Sequence, residues 1–378
     1  MFKTIFKYEL KKLVWNRITP VAFGIMLAAS IIMGLNEEGM GLSRNAAKKS
    51  PERDALNGRL LDDKLFSEMA EKSKDEYGLV WDTGDSAYED AAALVINTVG
   101  ENIALNSLDA ETYYGKRQQS MEEAMNLSLV SDSERKYWEK ESADVSLPFT
   151  LWNVNAPTAM ANGLSNFGTL LLFFIAICQS GIFAGEARNR TEEIIRSTKN
   201  GKGQIFAAKL LAGLIFTAAS SCILMAAFSV TTLLVWGTEG FLAQVQLLSP
   251  FAAVNMTLGE LIRILFFLML AAAILYTLTA IVLSEVTKNE LASMGILVGM
   301  NFAFFALSMF VPASPRVLSQ ALAMAPMTFI SPRFLYEFRL VGLAGHFMPA
   351  WQFVPLLYLG ISAVLLLVCA RHYLGKKH

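Results

Sequence analysis

The apolar residues of this 378-residue chain are concentrated in six long blocks. A helix needs roughly 20 residues to cross the ~30 Å hydrocarbon layer of a bilayer. Blocks suited to that purpose lie at residues 18–36, 164–184, 207–235, 260–283, 291–311 and 353–371. The pattern predicts an all-α polytopic membrane protein with six transmembrane helices, numbered TM1 to TM6 in chain order.

The N-terminal segment, residues 1–17, has a different pattern. Between residues 2 and 16 the apolar side chains recur three and four positions apart, and the lysines lie largely on the other face. This spacing predicts an amphipathic helix at the membrane interface. Thr19-Pro20 then predicts the start of TM1, with the threonine as N-cap and the proline in the first turn. One continuous helix with a basic start is the alternative.

A cleaved signal peptide is the competing interpretation of this N-terminus. Its basic region of seventeen residues is long for such a peptide, and no convincing small-x-small cleavage motif follows the apolar block. We therefore expect the first apolar helix to be retained.

Residues 37–163 form the longest polar stretch, and their apolar residues recur at helical rather than strand spacing. Ser131-x-x-Glu134 forms a capping box that opens one of the helices. Residues 36–163 hold 24 acidic and 13 basic side chains, an excess of eleven negative charges. We predict a helical domain between TM1 and TM2. Two explanations of its acidic charge are open. The acidic residues cover solvated helix faces, or they attract a cationic ligand.

The short connections divide into two sets with different numbers of lysines and arginines. The N-terminus, residues 185–209 and 284–290 and the C-terminal tail carry fifteen of them. The opposite set carries four, which are Arg263, Arg316, Arg333 and Arg339. Because basic residues accumulate in cytoplasmic loops, we expect both termini and the tail 372–378 in the cytoplasm, and residues 37–163 outside the cell.

Residues 312–352 are apolar but interrupted by five prolines, which leave no stretch long enough to span a membrane. Short helices that dip partway into the outer leaflet fit this pattern, with Phe347, Trp351 and Phe353 as aromatic interface anchors. The sequence therefore predicts an external re-entrant segment between TM5 and TM6.

Few residues suggest catalysis. Asn200-Gly-Lys-Gly203 is similar to part of a phosphate loop, but Arg196 stands where the opening glycine is required. The three histidines have no second metal ligand at helical spacing, and no Gly-x-Ser-x-Gly pattern occurs. We expect no catalytic residue, no metal, no cofactor bound by this chain and no nucleic-acid partner.

The predicted spans contain almost no ionisable residues, apart from Glu260 and Arg263 at the outer end of TM4. Ion-coupled carriers usually need such groups inside the membrane, so the pattern disfavours self-powered transport. Polar but uncharged residues in the spans, such as Gln179, Thr217 and Asn301, suit either a lining for an amphipathic substrate or helix packing.

Small residues four positions apart let two helix backbones approach closely. Such pairs are Gly295 with Gly299 in TM5, and Gly24 with Ala28 and Ser30 with Gly34 in TM1. Contact between two chains and packing within one chain are both open. Gly295 and Gly299 are our candidates for packing in a dimer.

The loop 185–206 between TM2 and TM3 predicts a short charged helix. A threonine N-cap is followed by acidic residues, the last turn is basic, and a glycine ends the helix, so the charges match the helix dipole at both ends. These residues are Thr191, Glu192, Glu193, Arg196, Lys199 and Gly201. Ile194 and Ile195 project from this charged body. A solvated turn is the alternative to a helix that docks on a cytoplasmic partner.

The order of these features resembles the permease subunit of ABC-2 type ABC transporters, particularly bacterial members with a long first external loop. The specific part of the resemblance is Glu186, followed by Thr191-Glu-Glu, Ser197-Thr-Lys-Asn-Gly201 and Ala208-Lys209. Pro148-Phe149, ahead of TM2, is also similar. The resemblance extends over the membrane part as an architecture, and residues 37–163 add little to it.

The resemblance implies a half-transporter of a bacterial cell membrane that pairs with itself or a sister permease. Two separately encoded ATPase subunits would bind ATP and magnesium. It also implies that residues 185–206 are the coupling loop, 284–290 a second contact, 1–17 a connecting helix and 312–352 an external re-entrant hairpin. TM2 and TM5 would line part of the substrate path. The residues expected to contact the ATPase or to support that contact are Glu186, Thr191, Glu192, Glu193, Ile194, Ile195, Arg196, Lys199, Gly201, Lys209, Glu285 and Lys288.

We therefore expect an ABC exporter permease, surrounded by membrane lipids, whose substrate is an amphipathic peptide, a drug-like compound or a lipid. A membrane-anchored protein that binds or senses cationic peptides is one alternative. A carrier or channel that works without ATP is the other.

Overall fold

The computed structural model of the chain describes residues 2–35, 53–72, 86–100, 107–188, 201–310, 314, 316–343 and 346–375. Its helices are α1 (Phe2–Val14), α2 (Thr19–Leu35), α3 (Asp63–Lys72), α4 (Ser86–Val99), α5 (Ala110–Leu127), α6 (Asp132–Ala143), α7 (Asn155–Gln179), α8 (Gly181–Arg188), α9 (Gly201–Trp236), α10 (Leu258–Thr287), α11 (Glu290–Phe310), α12 (Arg316–Ala323), α13 (Pro326–Phe329) and α14 (Ala350–Gly375). Short 3-10 turns and one hairpin complete it, at Arg53–Leu56, Val245–Leu247, Pro332–Leu335, β1 (Leu340–Leu343) and β2 (His346–Pro349).

Five helical segments in the described part of the chain are long and apolar enough to cross a membrane. They are α7 with α8, α9, α10, α11 and α14. Helices α1 and α2 pass the same test only as a pair, bent by 61°, which brings the number to six. The predicted class, an all-α polytopic membrane protein, is confirmed.

Several helices extend beyond the apolar blocks that predict them. Helix α7 begins at Asn155, so residues 155–163, which we assigned to the external domain, belong to the TM2 helix. Helix α9 begins at Gly201 rather than at residue 207. Hydropathy marks only the part of a helix suited to lipid, whereas the backbone hydrogen bonds continue into polar sequence.

The connection between α10 and α11 is much shorter than the predicted loop 284–290. Only Lys288 and Asn289 lie between the helices. Lys288 adopts a left-handed conformation with φ 52° at the C-terminus of α10. The Asn289 carboxamide oxygen then accepts hydrogen bonds from the backbone N–H groups of Leu291 (3.0 Å) and Ala292 (3.2 Å). These contacts cap α11 and hold α10 and α11 as a tight helical hairpin.

The break between α1 and α2 agrees with a separate interfacial helix rather than one continuous helix, but its cap differs from the predicted one. Asn16, not Thr19, supplies the capping side chain, because its Oδ1 atom accepts hydrogen bonds from the N–H groups of Ile18 (2.8 Å) and Thr19 (2.6 Å). Thr19 is instead the first residue of α2. Our assignment of Thr19 as the N-cap was therefore wrong.

The segment 312–352 is only partly built from the short helices that we predicted. After α12, α13 and the 3-10 turn, strands β1 and β2 pair antiparallel, with Leu340 opposite Pro349 and Leu343 opposite His346. Each strand has four residues, which is too short for an alternating pattern to stand out in the sequence. The hairpin was therefore missed.

The described part of residues 53–154, here called the insert domain, is helical as predicted. Its core contains Phe66, Met69 and Tyr113, all at most 1% exposed. Residues 59–61 at the start of the domain pair with residues 149–151 at its end. Leu61 N–H donates to Phe149 O, and Leu151 N–H donates to Arg59 O, both at 2.8 Å. This pairing holds the first and last segments of the insert domain next to each other.

Helices α2 and α9 pack closely at the second small-residue pair of TM1. Ser30 is fully buried, and a Cβ atom added at Gly34 would overlap the Thr231 side chain and lie 3.0 Å from the Phe228 carbonyl oxygen. At Gly24, in contrast, an added Cβ atom would meet nothing within 4 Å. The pair Ser30 and Gly34 therefore serves packing within the chain.

Replacing Gly34 by valine is expected to lower the apparent melting temperature of the purified protein, because overpacking of a close contact costs about 1–3 kcal/mol. Gly24→Val is the matched control, since it makes the same change of residue type in the same helix at an open position. Melting followed by tryptophan fluorescence measures both. An equal loss of stability in the two variants would contradict the packing role.

Candidate functional site

The helices place the notable side chains at two opposite ends of the bundle. One end, here called the terminal end, holds α1, the end of α8, the start of α9, the connection between α10 and α11, and the end of α14. The other end, here called the insert end, holds the insert domain and residues 316–349. This division follows from the alternating direction of successive spans.

A buried ion cluster lies at the terminal end. The Lys209 side chain is 0% exposed, and its ammonium group lies 2.7 Å from Glu186 Oε1 and 2.9 Å from Glu9 Oε2. Its third contact is the Ile182 carbonyl oxygen at 2.9 Å. A lysine ammonium has three N–H donors, so all three are used. Lys12, 3.4 Å from Glu186 Oε1, brings the cluster to two carboxylates and two ammonium groups.

This cluster, here called the Lys209 cluster, joins three helices that are distant in sequence. Glu9 belongs to α1, Glu186 to α8 and Lys209 to α9. The structure thus brings together Glu186 and Lys209, which we predicted to support the loop 185–206. It adds Glu9, which we missed. Glu9 is the only acidic residue among residues 1–17 and lies one turn from the buried Leu13, and this was the available signal.

The TM2 helix is interrupted next to this cluster at one residue, Ser180 between α7 and α8, and the two helices still form a single span. A break leaves backbone N–H groups without helical partners. Two of them, Phe183 N and Ala184 N, donate to the Ser284 hydroxyl oxygen at 3.1 and 2.9 Å. Just before the break, the Gln179 amide donates to Gly213 O and Thr217 Oγ1, both at 3.0 Å. Side chains of α9 and α10 therefore satisfy the break and hold it in place.

Aromatic rings connect α14 to the same region. Tyr373 lies 5.1 Å from the Phe183 ring and 5.5 Å from the Phe206 ring, measured between centroids. Phe183 and Phe206 belong to α8 and α9, and all three side chains are buried. The end of α14 is thus packed against the two helices that flank residues 189–200.

The predicted residues of the second contact lie at the end of α10. Glu285 is fully buried and pairs with Lys288 at 2.5 Å, and its Oε1 atom lies 3.4 Å from His372 Nδ1 on α14. The Lys288 side chain is 25% exposed. Nearby, Arg188 pairs with Glu290 at 3.2 Å and so links α8 to α11. Lys288 is therefore accessible to a partner, whereas the Glu285 carboxylate is not.

Several predicted residues lie outside the described part of the chain. These are Thr191, Glu192, Glu193, Ile194, Ile195, Arg196 and Lys199. Gly201, predicted to end the short helix, is the first residue of α9. The segment to which the other residues belong is nevertheless bounded on both sides by described structure, α8 before it and α9 after it.

The polar side chains inside the spans connect helices of this chain. Thr217 of α9 lies 2.5 Å from Thr277 of α10, oxygen to oxygen, and the Tyr276 hydroxyl hydrogen-bonds the Asn301 carboxamide on α11. All four residues are buried. Of the two roles that the sequence left open, packing fits these residues.

Helix α11 presents small residues to the outside. An added Cβ atom would meet nothing within 4 Å at either Gly295 or Gly299, and both are exposed. The buried side of this helix carries Ser293, Leu297 and Asn301 instead. Packing within the chain therefore does not use the Gly295 and Gly299 pair.

The insert end contains a cavity of about 460 Å³, here called the re-entrant cavity. Its walls come from α7, α11, α12, α13 and the residues up to β1. They include Ser165, Asn166, Thr169, Phe305, Ser308, Met309, Ser319, Leu322, Ala323, Met327, Thr328, Ile330, Ser331, Arg333, Glu337 and Arg339. A second cavity of about 140 Å³ shares Ser319, Glu337 and Arg339 with it and reaches Ser128 of the insert domain.

Within the described residues, no group of three or more His, Cys, Asp and Glu side chains is placed to hold a metal ion. The expectation that this chain binds no metal or cofactor stays a prediction.

A comparison with family models gives a match over residues 21–371, from TM1 to TM6, with the model described as ABC-2 family transporter protein. No match is found among the curated proteins or the solved structures.

Proposed function

The chain belongs to the ABC-2 family of transporter proteins, and we propose that it is an exporter permease driven by two separately encoded ATPase subunits. In this proposal the terminal end faces the cytoplasm and the insert domain lies outside the cell. Residues 189–200 contact an ATPase subunit, which binds ATP and magnesium, and transmit its movement to the permease. The permease itself performs no catalysis.

The Lys209 cluster is the observation that supports this proposal most strongly. It joins α8 to α9 directly, through Glu186 close to the start of the segment 189–200 and through Lys209, about two helical turns after the segment ends, and it joins both to α1. A force on that segment therefore acts on three helices at once. A buried ion pair with all its donors satisfied is also a stiff connection, because any separation leaves charges unpaired in a medium of low dielectric constant.

The break at Ser180 gives this force a place to act. Helix α8 is the short end of TM2, and the Ser284 hydroxyl that satisfies its free N–H groups belongs to α10. A tilt of α8 would therefore be transmitted to α7 through the break and to α10 through Ser284. Helix α7 lines the re-entrant cavity, so the path leads from the cytoplasmic contact to a cavity between TM2 and TM5.

The proposal includes two further contacts, and each is assigned to an exposed part of the structure. Lys288 contacts the ATPase as a second point, and the buried Glu285 positions it. A second permease packs on the open face of α11 that carries Gly295 and Gly299, where two helix backbones can approach closely. The partner is another copy of this chain or a sister permease.

The test is the combined replacement Ile194→Ala and Arg196→Glu in the coupling loop. We expect copurification of the ATPase and substrate-stimulated ATP hydrolysis to fall about tenfold or more, as expected when residues central to a contact are lost. Arg263→Glu, a charge reversal on an exposed side chain at the insert end, is the control and should retain both. Undiminished copurification and stimulated hydrolysis in the double variant would refute the assignment.

A further inference from the structure

The basic residues of the insert end are unevenly distributed around the bundle. Among the described residues outside the insert domain, four arginines lie at this end, Arg263, Arg316, Arg333 and Arg339. Arg333 and Arg339 line the re-entrant cavity, and Arg316 and Arg339 line the small cavity beside it. Only Arg263 lies elsewhere, on α10, in a groove formed with α14. Three of the four arginines therefore converge on two neighbouring cavities.

Carboxylates offset only part of this positive charge. Arg339 Nε lies 2.7 Å from Glu337 Oε2, and the Arg316 guanidinium pairs with Glu134 of the insert domain. Among the residues that line the re-entrant cavity, two are arginines and one is a glutamate, which leaves one net positive charge. A bound anion would complete the charge balance.

The other walls of the re-entrant cavity are apolar or carry hydroxyl groups. Phe305 and Met309 come from α11, and Leu322 and Met327 come from α12 and α13. Serine and threonine hydroxyls of α7 and α11 lie among them. The cavity thus combines a cationic wall, formed by residues 333–339, with an amphipathic remainder. This combination suits a molecule with a charged head and an apolar body.

The size of the cavity narrows the class of ligand. Its volume of about 460 Å³ is within the usual range for small molecules, roughly 300–1,000 Å³. It accommodates a lipid head group with the first part of a chain. Guanidinium groups bind phosphate oxygens with well-defined geometry, so a phosphate-bearing head is the best chemical match for Arg333 and Arg339.

We propose that the re-entrant cavity binds lipid-like amphiphiles that carry a net negative charge on a phosphate head group, and that Arg333 and Arg339 contact this group. As a statement about transported substrate, this inference rests on the proposed permease function. Binding itself does not require the ATPase, so the two can be tested separately.

The experiment measures binding of a fluorescent phosphatidylglycerol to the purified full-length chain in a non-ionic detergent. Phosphatidylcholine with the same chains and label is the net-neutral match, and inorganic phosphate tests the head group alone. We expect phosphatidylglycerol to bind about tenfold more tightly than phosphatidylcholine, and Arg333→Gln or Arg339→Gln to remove about tenfold in affinity, the loss of one charge-assisted hydrogen bond.

In contrast to the two arginine variants, Glu337→Gln is expected to increase the affinity for phosphatidylglycerol. It removes the carboxylate that competes for Arg339, so it should tighten phosphatidylglycerol binding several-fold. A variant that merely misfolds cannot produce this gain. Arg263→Gln, which changes an arginine at the same end of the bundle but in a different groove, is the matched control and should change neither affinity.

Three results would overturn the proposal. The first is equal binding of the two lipids. The second is weaker phosphatidylglycerol binding in the Glu337→Gln variant. The third is displacement of phosphatidylglycerol by inorganic phosphate that binds as tightly as the lipid does. If the coupling-loop variant loses ATPase copurification as expected while the wild-type chain shows no charge selectivity for lipid, only the ligand assignment fails. If charge-selective binding is found but the coupling-loop variant retains full ATPase copurification, only the permease assignment fails.

Discussion

Replacing Lys209 by methionine is expected to destabilise the folded protein by about 3–5 kcal/mol, the cost of removing one partner from a buried ion pair. The substitution leaves Glu9 and Glu186 facing each other with little access to water. It also leaves the Ile182 carbonyl oxygen without its ammonium donor. The free energy of unfolding, or the melting temperature by tryptophan fluorescence in detergent, measures the effect.

Two further variants show whether the charges cause this loss. Lys11→Met changes an exposed lysine of α1 and should leave stability nearly unchanged. The triple variant Lys209→Met, Glu9→Gln and Glu186→Gln removes the unpaired charges and should recover a large part of the lost stability. If the triple variant is no more stable than Lys209→Met alone, loss of packing rather than of charge pairing explains the effect.

Replacing Arg117 by methionine is expected to cost about 2–4 kcal/mol and to loosen the insert domain from the membrane part, because two buried carbonyl groups lose a charged donor. The Arg117 side chain reaches from α5 to the connection between α9 and α10. Its Nε atom donates to Pro250 O at 2.7 Å, and Nη2 donates to Ala252 O at 3.1 Å. Burial lowers the pKa of Arg117, and the Phe149 ring, 5.4 Å away, helps to stabilise its charge.

Limited proteolysis distinguishes loosening of the domain from general unfolding. We expect cleavage within residues 237–257 to be faster in the Arg117→Met variant than in the wild-type chain. Cleavage in the helices of the membrane part should be the same in both. Lys116→Met, at the neighbouring and partly exposed position, is the control. Equal cleavage rates in the wild-type chain and in Arg117→Met would contradict the anchoring role.

The sequence predicted the spans well because the apolar blocks report directly on the part of each helix that suits lipid. It predicted the starts of two of these helices poorly. Asn155 and Gly201 begin helices well outside the apolar blocks, since hydrogen bonding between backbone groups does not depend on side-chain hydropathy. The hairpin of β1 and β2 was missed because four-residue strands carry no detectable period.

The Lys209 cluster shows what local patterns cannot provide. Glu186 and Lys209 were candidates because of their place beside a charged loop, and the structure adds that they contact each other. Glu9 lies 200 residues before Lys209 in the chain, and no spacing rule relates the two. A single acid within the apolar stripe of a basic amphipathic helix was the signal, and it indicates a buried cationic partner without identifying it.

The pairing of residues 59–61 with 149–151 has a consequence for how this chain can be altered. Since the first and last segments of the described insert domain are hydrogen-bonded to each other, the chain enters and leaves the domain at neighbouring points. Chains accept whole domains most readily at sites where the ends of the added piece lie close together. The insert domain is in this sense an exchangeable unit, and Arg117 and Arg316 also connect it to the rest of the chain. Shortening, enlarging or exchanging it requires that these contacts be kept or released together with the hydrogen bonds that Gln244 donates to Ser146 O and Asn255 donates to Asp144 O.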